Sequence, residues 1–122
     1  NLPFEDNSFD NVFCCFVWRN VSDTNKALRE VYRVLSPGGK FILLDMTRPK
    51  NPFLKILHKI GTFKVLHLIG LLTFNLKEYR FLYKSLDFYP QPEDHLKKDT
   101  FIDLQIERMG LFNFVYLAVF TK

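Results

Sequence analysis

Two short apolar runs, Val12–Val17 (VFCCFV) and Lys40–Met46 (KFILLDM), constrain the fold of this chain more than any other feature. Neither alternates in polarity, which is the signature of parallel strands buried on both faces. Between them Ser22 or Asp23 can cap a helix. Leu28, Val31, Tyr32 and Leu35 then recur at helical spacing, while Lys26, Arg29, Glu30 and Arg33 face outward. Pro37-Gly38-Gly39 ends that helix and supplies the positive-φ positions of a tight turn. Strand, helix and strand in this order form a βαβ unit, so the fold class is α/β. Such units cross over right-handedly, and ligands lie beyond the carboxyl ends of their strands. Here those ends are Val17–Asn20 and Asp45–Arg48.

Downstream, Pro49-Lys50-Asn51-Pro52 breaks the chain. Phe53–Leu72 reads as a helix with Leu54, Leu57, Gly61, Val65, Leu68 and Leu72 along its packed face. Lys55, Lys59 and Thr62 lie on another face, and Gly61 and Gly70 are weak points where it can divide. Lys77–Phe88 is a further helix, stopped by Tyr89-Pro90-Gln91-Pro92. Glu93–Met109 reads as a last helix with Phe101, Leu104, Ile106 and Met109 as its apolar positions and Gly110 as its cap. Phe112–Thr121 then closes the fold as a strand or a compressed hairpin. The expected layout is one domain in three stretches: a βαβ core over 1–48, a helical cover over 49–92, and a last helix with a closing strand over 93–122.

The chain has 122 residues, enough for one small core, and 48% of them are apolar. Its net charge of +4 is unevenly placed: 48–84 carries eight basic residues against the single acid Glu78. A basic and apolar middle suits an anionic lipid surface or an acidic ligand, or else is a solvated helix face. No nucleic-acid partner is expected. Cys14 and Cys15 are adjacent and sit in an apolar run, which fits small hydrophobes in a reducing, cytoplasmic setting. Lys55, His58, Lys59, Lys64 and His67 interrupt Phe53–Leu72 and argue against a membrane span. His58, His67 and His95 lack metal-ligand spacing, so no metal site is expected.

LPFEDNSFDNV, then FVWRNVSD, ALREVYRVLSPGGKFILLD and EYRFLYKS, resemble the ubiquinone/menaquinone biosynthesis C-methyltransferases. These are class I S-adenosylmethionine-dependent methyltransferases with a Rossmann-like sheet. The resemblance is close over 1–48 and looser over the remainder. It implies that Arg19 and Asn20 sit beside the transferred methyl as the catalytic pair. Cys15, Phe16 and Trp18 would line the cofactor and ring pocket, and Tyr79 and Arg80 would lie on the substrate-side helix. The Phe53–Leu72 segment would cover an apolar substrate such as a prenylated quinol. Chemically, ring C-methylation needs carbanion character beside a phenolate, which a cation at Arg19 can stabilise.

Each residue also has a plainer reading. Arg19 can pair with Asp45, Trp18 can be a packing residue, and Tyr79 and Arg80 can be an exposed helix pair. The resemblance further implies a Gly-rich loop, a ribose-binding acid and an Asp-Ala pair upstream of Asn1. No G-x-G pattern occurs in the 122 residues. The expectation is therefore a partial class I sheet without its N-terminal cofactor-binding half, its Val12–Val17 strand left as an unpaired edge. Such a chain acts within a longer protein or completes its sheet as a homo-oligomer. The leading expectation is methyl transfer to a quinol ring or similar apolar molecule, in the cytoplasm or at a membrane surface. The alternative is a non-catalytic remnant that binds apolar ligands or a membrane surface.

Overall fold

The computed structural model describes residues 2–97 and 100–122. Four strands form one sheet in the order β1-β2-β4-β3. Strand β1 (Phe9–Cys15) runs parallel to β2 (Leu35–Met46) through helix α1 (Thr24–Val34), as the βαβ reading requires. The Asp23 carboxylate accepts the Lys26 N–H at 2.8 Å and so starts α1. Leu28, Val31 and Val34 turn inward. Beyond β2 come α2 (Pro52–Leu72), α3 (Leu76–Phe88) and the single turn α4 (Pro92–His95). Strands β3 (Asp103–Met109) and β4 (Val115–Thr121) complete the sheet antiparallel to each other, with β4 antiparallel to β2.

The core lies on one face of the sheet. Phe41, Leu43 and Asp45 of β2 and Tyr116, Ala118 and Phe120 of β4 are buried there. An aromatic chain runs through it: Trp18 against Phe41 (5.5 Å), Phe41 against Phe120 (5.5 Å), and Phe120 against Phe101 (5.0 Å). Some of the chain's 14 phenylalanines are thus core packing.

Four expectations need correction. First, the described residues of 93–109 do not form one helix: the helical turn ends at His95, and Asp103–Met109 is a strand. Leu104 and Ile106 alternate with Gln105 and Glu107, a two-residue period, and pairing with β4 from Asp103↔Thr121 to Met109↔Val115 makes the segment a strand. Gly110, at φ +79°, starts the connection to β4 instead of capping a helix. Of the two readings of Phe112–Thr121 the closing strand holds, as β4, and its hairpin with β3 is seven residues long on each side.

Second, α2 is unbroken and packs with a different face. His58 and Gly70 are buried and Leu54, Thr62 and Leu66 half-buried, whereas Leu57, Val65, Leu68 and Leu72 are exposed. A buried Arg48 at the end of β2 draws the polar His58 and Thr62 inward. Gly70 faces α3: a Cβ there would lie 3.1 Å from the Leu76 backbone, so glycine permits the close approach.

Third, β1 is not buried on both faces. It is the edge strand that the partial-sheet expectation implied, and Phe13 is 69% exposed. It also stops at Cys15, because Phe16 turns to φ +58°. Fourth, β2 begins at Leu35, ahead of the Pro-Gly-Gly turn. That turn is an irregularity inside the pairing, since Phe9 faces Leu35 while Asn11 already faces Lys40. Gly38 supplies its positive φ of +79°.

Candidate functional site

Parallel strands β1 and β2 end side by side, and a short 3-10 turn, Trp18–Asn20, follows β1. That turn swings Arg19 over the end of β2. The Arg19 guanidinium and the Asp45 carboxylate form an ion pair. Asp45 also accepts the Arg19 backbone N–H at 3.1 Å and the Met46 backbone N–H at 2.7 Å. The carboxylate is fully buried, so these donors are what make its charge tolerable there. Arg19 Nε is buried as well but has no hydrogen-bond partner among the described residues. The pairing with Asp45 and a free donor thus coexist on one side chain.

The neighbours are phenols and a thiol. Burial, reinforced by Tyr89 and Asp45, raises the Tyr116 phenol well above its ordinary range. Burial likewise raises Tyr89, and burial with the Asp45 charge raises the Cys14 thiol. All three therefore stay protonated near neutrality. His95 Nδ1 donates to the Gln91 carbonyl at 2.7 Å, which in the neutral ring leaves Nε2 to accept the Tyr89 hydroxyl at 2.7 Å. Tyr116 Oη, Thr47 Oγ1 and Trp18 Nε1 are buried without a well-formed hydrogen bond among the described residues. Sequence reasoning missed Tyr89, His95 and Tyr116, because their approach depends on the antiparallel hairpin and the α4 turn.

The other expected site residues divide. Trp18 is buried in the core against Phe41, so its packing reading holds. Cys15, Phe16 and Asn20 are exposed beside it. Tyr79 and Arg80 lie on α3 and line a pocket of about 150 Å³ between α2 and α3, with Phe63, Leu66 and Tyr83. None of Cys15, Phe16, Trp18, Arg19 or Asn20 lines that pocket. The structure thus has a buried polar cluster at the sheet end and an apolar pocket between two helices.

Arg48 connects the two. It is 2% exposed, and its backbone carbonyl accepts from Gln91 Nε2 at 3.3 Å. Its Nε donates to Asp87 at 2.9 Å, Nη1 to Thr62 at 2.8 Å and to His58 Nδ1 at 3.2 Å, and Nη2 to the Tyr83 carbonyl at 3.2 Å. The Tyr83 ring, which also walls the pocket, lies 4.9 Å from the guanidinium carbon. Burial opposes ionisation of Asp87, but Lys59 and Arg48 hold its carboxyl below the usual range. A lone Arg between a buried strand and Pro49 was the available sequence signal for this tie.

The described residues do not by themselves fit S-adenosylmethionine. The carboxylate of that cluster, Asp45, is taken by Arg19 and two backbone N–H groups and is not free for the ribose hydroxyls. No group of three or more His, Cys, Asp or Glu residues that can hold a metal ion occurs among the described residues.

Comparison with known proteins gives a consistent family. The sequence profile of the ubiE/COQ5 methyltransferase family matches residues 1–116. The ubiquinone/menaquinone biosynthesis C-methyltransferase UbiE of Rickettsia bellii is 45% identical over 94 residues, covering 76% of this chain and 38% of that protein. The UbiE of Pasteurella multocida is 37% identical over 113 residues, covering 92% of this chain and 41% of that protein. The chain thus spans about two fifths of the length of these curated relatives. Among solved structures, a SAM-dependent methyltransferase from Aquifex aeolicus aligns with a TM-score of 0.48 at 16% identity, covering 98% of this chain and 49% of that one.

Proposed function

The chain belongs to the ubiE/COQ5 methyltransferase family, and from that premise we propose that it is the substrate-facing part of an S-adenosylmethionine-dependent methyltransferase acting on a quinol ring or a similar apolar small molecule. The observation that carries the reading is the unpartnered, buried Arg19 Nε at the carboxyl end of the parallel strands. A donor held there is suited to a phenolate oxygen. Asp45 acts as a positioning residue: it fixes the guanidinium from behind and leaves Nε to the ligand. Asn20, exposed on the same turn, is the second polar contact. Cys15 and Phe16 offer an apolar rim toward the cofactor, with Trp18 packed beneath as their support.

The pocket beside Tyr79 and Arg80 suits an apolar chain such as a prenyl tail. In this reading the cofactor, when bound, supplies the electrophilic methyl, and residues outside this chain hold most of it. A substrate of this class also favours work in the cytoplasm at a membrane surface. No helix among the described residues is long and apolar enough to cross a membrane. A second reading, apolar-ligand binding without methyl transfer, draws on the same α2–α3 pocket.

The test is a hybrid in which the upstream segment of the Rickettsia bellii relative is joined ahead of Asn1. We expect it to bind S-adenosylmethionine by calorimetry and to methylate a short-chain prenylated quinol. Arg19→Ala in the hybrid should lower turnover while leaving cofactor affinity unchanged. A folded hybrid that binds cofactor and quinol without methylating would support the second reading and overturn the first. Equal losses of turnover and cofactor affinity in Arg19→Ala would remove the substrate role of Arg19.

A further inference from the structure

Helix α2 is apolar nearly all round, which is the pattern of a buried helix. Yet only one side of it is covered. Phe53, Ile56, Ile60, Phe63, Leu68 and Leu72 are among the large apolar side chains it leaves exposed. The turn to α3 adds Phe74, which sits at φ +58° and is 95% exposed.

Charge distinguishes what can cover this face. The hairpin Pro52–Phe88 contains six of the 17 basic residues and two of the 13 acidic ones, so all of the net +4 resides in it and the rest of the chain is balanced. One of the two acids, Asp87, is already held by Arg48 and Lys59. Lys55, Lys64, Lys77, Arg80 and Lys84 are exposed, and none takes part in an ion pair among the described residues. Lys77, Arg80 and Lys84 form one stripe of α3 with Phe81. Arg80 and Lys84 also border the same cleft as Phe63 of α2, so the cationic stripe and the apolar face are continuous.

We propose that the α2–α3 hairpin docks on an anionic lipid bilayer, with Phe74 and the outward apolar face of α2 at the acyl boundary and Lys77, Arg80 and Lys84 among the headgroups. A protein cover over the same face would have to bring its own carboxylates, because these cations meet none among the described residues. An interface takes both at once, because the lysine stems lie along apolar surface while their ammonium groups reach the phosphates. This docking does not depend on the methyl-transfer reading.

The experiment is co-sedimentation of the purified 122-residue chain with vesicles of phosphatidylcholine alone and of phosphatidylcholine with phosphatidylglycerol. The chain should partition at least about tenfold more strongly onto the anionic vesicles, and salt of about 0.5 M should abolish the difference. Charge reversal at Lys77, Arg80 and Lys84 together should weaken anionic binding by on the order of a hundredfold. Phe74→Ser, a change at a fully solvated side chain, should weaken it while leaving the circular dichroism spectrum intact. Equal partition onto both vesicles, or none, overturns the proposal. So does a stable dimer whose hairpin resists proteolysis without lipid, since a second copy would then be the cover.

Discussion

Arg19 and Arg48 stand at the ends of adjacent parallel strands, both nearly buried and both paired with a carboxylate. They differ in what remains unbonded. Arg48 directs Nε, Nη1 and Nη2 to four partners on α2 and α3, and lies over the Tyr83 ring. Arg19 bonds Asp45 through Nη1 and its backbone, and its Nε has no partner among the described residues. A fully bonded cation is an anchor. A cation fixed on one side with a buried donor left over is the group that the proposed reading assigns to a ligand. Position and residue type were the same in the two cases; the inventory of donors separates them.

The largest expected effect falls on the anchor. Arg48→Ala empties a buried site and takes the donor from His58 Nδ1, Thr62 Oγ1 and one Asp87 oxygen, and should cost about 3 kcal/mol or more by urea denaturation. Arg48→Met, which fills the space without a charge, should cost distinctly less, because it avoids the cavity that alanine leaves. Arg19→Ala should cost about 2 kcal/mol, since Asp45 keeps the backbone N–H groups of Arg19 and Met46. Were Arg19→Ala the more destabilising of the two, the division into anchor and ligand-facing cation would fail.

The hairpin that Arg48 holds can be probed through two glycines of one helix. A Cβ at Gly70 would meet the Leu76 backbone at 3.1 Å, whereas one at Gly61 would meet nothing within 4 Å. Gly70→Ala should therefore destabilise by about 1–2 kcal/mol through overpacking. Gly61→Ala should stabilise by about 1 kcal/mol through helix propensity alone. Opposite signs from the same substitution, read as shifts in the thermal midpoint, would confirm that α2 and α3 touch at Gly70. Equal signs would place the contact elsewhere.

These contrasts also explain how much could be read from residues alone. The βαβ unit was legible because its signals are local: a cap at Ser22 or Asp23, helical spacing through Leu28, Val31 and Tyr32, and two unalternating strands, although Leu35, read with the helix, starts β2. The pairing of Arg19 with Asp45 was legible too, as strand ends that lie side by side bring them together. The hairpin β3–β4 was not, because Leu104 and Ile106 suit either period until a partner strand decides. The packed face of α2 was misread for a related reason. Its apolar residues surround the helix, and the face turned inward is chosen by the polar needs of Arg48, a residue outside the helix. Long-range polar contacts of this kind leave no periodic trace.

The smallest effect follows from that same choice of face. Burial, with the Arg48 charge second, holds the His58 imidazole below its ordinary value of 6.5. His58 is therefore neutral in the folded chain, with Nδ1 accepting from Arg48 at 3.2 Å. Around it lie Arg48, the Asp87 and Lys59 pair, Thr62, and the Phe114 ring at 5.0 Å. In the unfolded chain the ring takes up its proton as pH falls through about 6.5, before the folded chain does. The unfolded state then binds more protons, so stability should decline as pH falls from about 7.5 toward 5. Asp87 cannot produce this slope, because its carboxyl titrates below the usual carboxylate range. The check is the urea midpoint across that interval. His58→Gln, which retains an acceptor without a titrating ring, should flatten the profile, and Arg48→Met should reduce its slope without removing it, since burial remains. An unchanged slope in His58→Gln would show that the protonation lies elsewhere and that the face of α2 toward Arg48 is not the one that senses pH.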